Sequence, residues 1–516
     1  MKLRLLIICF LVSIFSYAQQ NTVSLHSFYK DHLYANKSDQ AYNEGSFLPV
    51  LESDYDVLGL INDSAPMYYK VTNIIFQKHL IEINAKDCYL TISPLANLFY
   101  GRDLGDTSGQ NITQNTRGVI VEGDLFKKFS FATSFYENQS RFMRYETAYY
   151  ESLGERYIGS DSLYAPQNAV VPGAGRTKPF KTIGFDYAYA TGYFAYSPIK
   201  QLQIIAGNNQ QFIGDGHRSL LLSDNSYNAP YLRVNWKMHS KWSIVYHRSR
   251  LINLLRRPEG SSAESYYEPK GFSVNYFTYK PNRNISISLF EGGVWNRGDS
   301  IESKFSHPLY YNPVPFVSSL ILSDGQELSS LHGLNIGAQL HRNHRVYGQL
   351  ALTDFNAASL AFQVGYRGYR FFGLNDLMLQ MEYNYVPSSA YQARSNNRLN
   401  YSHYHLPLAH VKGSGFQELI LRMNYEIERV YFDIHNVLYW LQDYQFDRHL
   451  PIPTATASVN GNTFFHRTEI GYRMNRKINL DFFVNWTFRS ESGQDMPVNA
   501  FGAGLRTGLT NHYNDF

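Results

Sequence analysis

Along most of the chain, apolar and polar residues alternate one by one. The pattern is plainest between Phe185 and Trp236. Residues 185–196 carry aromatic or aliphatic side chains at every second position, residues 197–200 form a tight turn, and residues 201–207 resume the alternation. A long polar stretch follows before residues 231–236 return to it. Period two gives each strand one apolar face and one polar or small face. The rhythm of tight turn, long link, tight turn repeats through the chain. About 18 strands are predicted, near residues 88–92, 118–126, 129–135, 185–196, 201–207, 231–236, 242–247, 272–279, 285–290, 334–340, 346–353, 362–367, 377–385, 419–425, the return after 426–429, 465–472, 478–488 and 501–509.

The links between those hairpins are long: residues 137–184, 208–230, 248–271, 292–333, 387–417 and 436–464. With an even strand count and both ends on one side, every short turn falls on that side and every long link on the other. This is the asymmetry of outer-membrane barrels, with short periplasmic turns and long outer loops. A soluble sandwich does not require links to alternate so regularly. The fold class predicted is therefore all-β, a transmembrane outer-membrane β-barrel of about 18 antiparallel strands.

A spanning helix is excluded by magnitude. The apolar window from residue 419 to 437 holds Arg422, Glu426, Glu428, Arg429 and Asp433. Each charge at a helix centre costs roughly 2.5–3.5 kcal/mol on insertion scales. As a hairpin the same residues are accommodated: Leu419, Leu421, Met423 and Tyr425 face lipid, Arg422 and Asn424 face inward, and 426–429 turn. The strand at 478–488 is the cleanest, with Leu480, Phe482, Val484, Trp486 and Phe488 opposite Asn479, Asp481, Asn485 and Thr487.

The beginning of the chain changes the picture only at its edge. Lys2 and Arg4 precede an apolar run from Leu5 to Phe15, and Ser16-Tyr17-Ala18 follows. That order predicts a secretory signal peptide over residues 1–18. Residues 19–86 show no sustained alternation and are expected to form a partly helical periplasmic segment at or inside the barrel mouth. Within it Ser64 and Pro66 suit a helix start, with Met67, Val71, Ile74, Ile75 and Lys78 at helical spacing. The barrel is assigned to residues 87–516. Phe516 ends the sequence on an aromatic, the usual recognition mark for barrel insertion.

Composition fits this placement. Removing Lys2 and Arg4 from the 47 basic residues leaves 45 against 43 acidic ones, which gives no support for a nucleic-acid partner. The 42 Tyr and 34 Phe are the loading expected where rings form belts at two membrane interfaces. With Cys9 in the signal, Cys88 stands alone and no intrachain disulfide is available.

The most distinctive loop is residues 214–224. Two glycines permit a tight bend, and Asp215, His217, Arg218 and Asp224 bring both charges together. The loop has neither the spacing of a phosphate loop nor that of a calcium loop. It is either a salt-bridged segment folded into the lumen or a ligand-contacting loop, and these four residues are the candidate ligand-binding or lumen site. Seventeen histidines invite a metal reading, with His403, His405 and His410 close together, yet no carboxylate or cysteine completes a ligand set. No nucleophile elbow or Ser–His–Asp order can be assigned, so catalysis, cofactor and metal are not expected. Tyr149, Tyr150, Tyr266, Tyr267, Tyr310 and Tyr311 on the links suit either sugar stacking or the interface belt.

Further segments stand out: Asn115-Thr-Arg-Gly118, residues 129–139 with Tyr-Glu-Asn-Gln, residues 211–224, Phe290-Glu-Gly-Gly-Val-Trp295, Tyr347-Gly-Gln349, Glu382-Tyr-Asn384, Pro407-Leu-Ala-His410, and Gly504-Leu-Arg-Thr507 with residues 511–516. Together they resemble the Wzi-type capsule-assembly family, and more closely its gliding-motility relative RemB. The resemblance implies an outer-membrane barrel of about eighteen strands with a helical periplasmic N-terminus. It further implies a non-enzymatic role in surface-polysaccharide assembly or in gliding motility. The partners expected are outer-membrane lipid, surface polysaccharide and other motility or envelope proteins. A passive porin-like channel is the alternative, motivated by polar inner faces such as Gln380, Glu382 and Asn384.

Overall fold

The computed structural model describes residues 21–36, 46–51, 70–126, 128–157, 167–256, 267–296, 308–322, 327–374, 376–452, 457–493, 496–508 and 510–516. Alternation along the chain becomes a closed antiparallel barrel of 18 strands. In chain order these are β1 (Cys88–Asp103), β2 (Asn111–Leu125), β3 (Phe129–Arg141), β4 (Gly184–Ile199), β5 (Leu202–Asn209), β6 (Ala229–His239), β7 (Trp242–Asn253), β8 (Glu268–Tyr279) and β9 (Ile285–Asn296). The second half comprises β10 (Leu328–His341), β11 (His344–Thr353), β12 (Ala361–Tyr369), β13 (Leu377–Val386), β14 (Phe416–Ile427), β15 (Val430–Tyr444), β16 (Val459–Asn475), β17 (Leu480–Glu491) and β18 (Val498–Thr507). Each strand pairs with the next. β18 closes on β1 in register from Ala500↔Asp103 to Arg506↔Asn97, so no sheet edge is left open along the closure.

Burial is inverted relative to a water-soluble protein. On β17 the outward Phe482 and Val484 are 51% and 45% exposed, while the inward Asp481 and Arg489 are 1% and 4% exposed. The same sidedness sets Leu421 outside and Arg422 inside on β14. Outward rings and aliphatics facing acyl chains, with polar groups enclosed, is the pattern of a membrane barrel. No described helix is long and apolar enough to cross a membrane.

The short turns (residues 126–128, 200–201, 240–241, 280–284, 342–343, 370–376, 428–429 and 476–479) all lie at the end where β1 begins and β18 finishes. The opposite, loop end carries the long links, together with three short ones at 104–110, 354–360 and 492–497. The strands outrun the sequence expectation. β1 continues to Asp103 rather than Ile92, and β15 to Tyr444 where a link was expected from residue 436. In these extensions apolar residues occupy both faces, Leu95 and Phe99 inside against Leu98 and Tyr100 outside on β1, and Val437, Tyr439 and Leu441 against Leu438 and Trp440 on β15, so alternation fades while the ladder hydrogen bonds continue. Glu426 accordingly lies in β14, paired with Arg473 and Arg476, and not in the turn.

The signal-peptide expectation and the helix start at Ser64 and Pro66 fall outside the described residues. Among the described residues two helices precede the barrel: α1 (Ser27–Asn36) and α2 (Lys70–Gln77). Residues Ile81–Ala85 then form a short strand that hairpins onto the start of β1. Of the two helices, α1 is the one inside the barrel. Asp31 binds Arg422 of β14 at 3.2 Å, the Arg473 guanidinium of β16 lies 4.1 Å over the Phe28 ring, and Tyr34 donates to the Gly214 carbonyl at 2.6 Å.

Candidate functional site in the barrel interior

Four segments distant in sequence fill the lumen: α1 with Phe47–Leu48, the β5–β6 link (residues 210–228), the β13–β14 link (residues 387–415) and the tail (residues 508–516). Phe47–Leu48 pairs antiparallel with Phe212–Ile213. Leu220, Leu221 and Leu222 pack with Val274, Tyr276, Phe290, Ile420 and Tyr439 of the wall and with Tyr391, Tyr401 and Leu408 of the other link. Tyr391 and Tyr401 donate their hydroxyls to the carbonyls of Leu220 and Leu221 at 3.0 and 2.8 Å. Burying that apolar surface is the main term holding the two links inside, at about 25 cal/mol per Å² removed from water.

Above this apolar cluster the polar faces of the strands meet the loop 214–224. Gly214 sits at φ +138°, and a Cβ there would lie 2.6 Å from Gln349 Nε2, so a larger residue is strained on both counts. Asp215 is 1% exposed, ion-paired with Arg345 of β11 at 2.7 Å and hydrogen-bonded by Ser46 Oγ at 2.7 Å. The backbone N–H groups of His217 and Arg218 donate to Glu382 of β13 at 2.7 and 3.0 Å. The Arg218 side chain reaches Glu418 of β14 at 3.1 Å, Tyr439 of β15 at 3.2 Å and Asp515 of the tail at 2.9 Å. Asp224 accepts from Tyr513 at 2.6 Å and Asn511 at 2.8 Å. The four candidate residues thus lie in one interior region, each bonded to groups of its own chain.

The tail lies beyond the last strand, which was expected over 501–509 and spans Val498–Thr507. Phe516 does not end a barrel strand: β18 stops at Thr507, and residues 511–516 run up the lumen. Phe516 packs 4.2 Å from the Tyr149 ring and accepts a hydrogen bond from Arg489 through its carbonyl. The local reason is pairing. Tyr513 and Asp515 find Asp224 and Arg218 inside, partners that no lipid-facing strand offers.

His217, His435 and Asp515 converge, with their ligand-type atoms within 4.8 Å of one another. Burial holds the His217 imidazole well below its ordinary pKa, against the pull of Asp515. Burial would raise Asp515, but the Arg218 guanidinium and the two imidazoles hold it well below the carboxylate range. The convergence was missed from sequence because the three residues sit in a link, a strand and the tail. Only the ionic character of 214–224 hinted at it. His403, His405 and His410, adjacent in sequence, instead take separate partners: the Asn228 carbonyl, the Leu153 carbonyl and Glu418. Of the link tyrosines, Tyr150, Tyr267 and Tyr310 are buried and Tyr149 half-buried, while Tyr311 is 48% exposed; Tyr266 lies outside the described residues. A cavity of about 270 Å³ remains, lined among others by Arg367, Arg422, Arg506, His217 and Asp515.

At the loop end, α3 (Arg144–Ser152) covers the tail. Its Glu146 accepts from the Met143 N–H at 2.9 Å, and burial pushes its pKa up to about 7. Below the unfolded value near 4.5 the group is protonated in both states and costs nothing. As pH rises through that value towards 7 the unfolded chain ionises first, so stability falls, by up to about 3 kcal/mol, and then levels. Glu146→Gln is expected to remove this loss, raising the thermal transition at pH 8 and leaving it unchanged near pH 4. Equal shifts at both pH values in a detergent-solubilised melt would contradict the assignment.

No family model and no curated protein sequence matches the chain. Among solved structures, 95% of it aligns with the whole of Wzi, an outer membrane protein involved in group 1 capsule assembly in Escherichia coli, at TM-score 0.56 and 11% identity. The chain is similar to Wzi in fold. A BenF-like porin from Pseudomonas fluorescens and OprD of Pseudomonas aeruginosa each align over 81% of this chain, and 98% and 94% of theirs, at TM-score 0.42 with 10% and 9% identity.

Proposed function

We propose that this protein is a non-enzymatic outer-membrane barrel that holds surface polysaccharide through its loop end, in capsule attachment or in gliding motility. The observation that carries the reading is the filled lumen. The polar wall residues Glu382, Glu418 and Arg345 are bonded to the β5–β6 link, Arg422 to α1 and His435 to the tail. A barrel so occupied is a scaffold for its long links. Wzi, whose fold it shares, is described as a carbohydrate-binding β-barrel, and the segment resemblance to the Wzi and RemB branches points the same way. The signal peptide and the placement of the short turns in the periplasm belong to the same proposal.

The porin-like alternative makes the opposite prediction. Purified protein in planar bilayers is expected to be electrically silent and to retain extracted surface polysaccharide in a pull-down. Stable ohmic steps together with no glycan retained would transfer the assignment to a channel. A deletion strain losing surface polysaccharide supports the capsule branch and one losing spreading supports motility; unchanged behaviour in both rejects the proposal.

A further inference from the structure

We propose that His217, His435 and Asp515 form a binding site for one divalent transition-metal ion, of the zinc class, that clips the β5–β6 link and the tail to the barrel wall. This inference stands apart from the polysaccharide reading. His435 Nε2 lies 2.7 Å and His217 Nε2 3.5 Å from the same carboxylate oxygen, Asp515 Oδ2, and the two imidazole centroids are 4.8 Å apart. Zinc binds His nitrogen at about 2.0–2.1 Å and carboxylate oxygen at about 2.0–2.2 Å, which sets tetrahedral ligand atoms a little over 3 Å from one another. The two nitrogen–oxygen spacings are close to that value, and with all three atoms within 4.8 Å of one another a rotation of the imidazoles towards each other completes the set. The other carboxylate oxygen, Oδ1, is held by Arg218 at 2.9 Å, so Oδ2 is the one turned towards the imidazoles. Orientation of a ligating carboxylate by an outer partner is the usual support of such sites.

A further observation favours a cation there. His217 Nε2 is buried and, 3.5 Å from Asp515 Oδ2, makes no well-formed hydrogen bond. The charges around it are the carboxylates of Asp515, Glu418 and Glu382 and the guanidinium groups of Arg218, Arg422 and Arg467, the last two directly opposite His435 on the neighbouring strands. All three ligands line the 270 Å³ cavity, so a remaining coordination position faces space large enough for water. Two histidines with one carboxylate and an open position suit zinc and its first-row neighbours, whereas magnesium and calcium favour oxygen ligands.

The test uses the full chain in detergent, purified without a histidine tag and stripped with chelator. Calorimetric titration with Zn²⁺ is expected to give one equivalent, and Co²⁺ a visible absorption spectrum that Zn²⁺ abolishes. His217→Ala, His435→Ala and Asp515→Asn are each expected to weaken Zn²⁺ binding by at least about 100-fold. Asp515→Asn is nearly isosteric, so it reports on ligation should either alanine variant misfold. His405→Ala, in the neighbouring histidine group, leaves binding unchanged. Binding well below one equivalent, or the same affinity in the three site variants as in the parent protein, overturns the proposal.

Discussion

Replacing Arg218 by alanine is expected to speed protease cleavage within the β5–β6 link by two to three orders of magnitude. The guanidinium is 2% exposed and answers two carboxylates, Glu418 and Asp515, and the Tyr439 hydroxyl. Removing one partner of a buried ionic group costs about 3–5 kcal/mol, because the remaining charges are left uncompensated where water cannot reach them. The strand ladder is untouched by this change, so the loss falls on the equilibrium between the docked and the undocked link. Native-state proteolysis reads that equilibrium when reclosing is fast. Arg218→Lys is expected to recover only part of the loss, because an ammonium cannot hold Glu418 and Asp515 through one planar fork. Arg218→Met combined with Glu418→Gln should be milder than Arg218→Ala alone, since one stranded charge is removed with its partner. Cleavage at the parental rate in Arg218→Ala would show that the apolar contacts of Leu220 to Leu222 hold the link unaided.

The wall of this molecule is legible in the sequence because its cause is local. A residue's face on a strand follows from its parity, and Phe482, Val484 and Trp486 are outside for the same reason that Asp481 and Thr487 are inside. Strand number and the segregation of short turns from long links follow from the same period. The interior is legible only in part. The charge pattern of 214–224 announced an ionic loop, and the structure places Asp215, His217, Arg218 and Asp224 among partners on β11, β13, β14 and the tail. Those partners lie more than a hundred residues away, and no periodicity encodes them. Helix α1 was passed over because lumen burial does not require an amphipathic stripe: Phe28, Tyr29, Leu33 and Tyr34 are buried together with Lys30, whose ammonium sits 3.3 Å from the centre of the Phe212 ring. The course of tail residues 511–516 is likewise outside any periodicity, because their partners Asp224, Arg218 and Tyr149 lie on distant segments.

Exchanging residues 210–228 for a two-residue Asn-Gly turn is expected to convert a silent barrel into a conducting one. The exchange suits the wall, because Asn209 faces Ala229 across the β5–β6 pair and a type I′ turn joins strands at that point without altering register. Every neighbouring pair in the barrel, including β18 with β1, is made without this link, so the closed sheet survives. Its interior does not. Glu382, Arg345 and Glu418 lose Arg218 and Asp215, Tyr391 and Tyr401 lose the carbonyls they bind, and Tyr513 and Asn511 of the tail lose Asp224. Charged wall residues without protein partners must be solvated, and an 18-stranded barrel is wide enough to hold an aqueous channel when nothing fills it. Planar bilayers should then show stable ohmic steps for the shortened protein, with its heat-modifiable band on a gel unchanged. Silence with that band intact would mean that α1 and the β13–β14 link occlude the lumen without the β5–β6 link, and that this link is a passenger in the interior instead of its keystone.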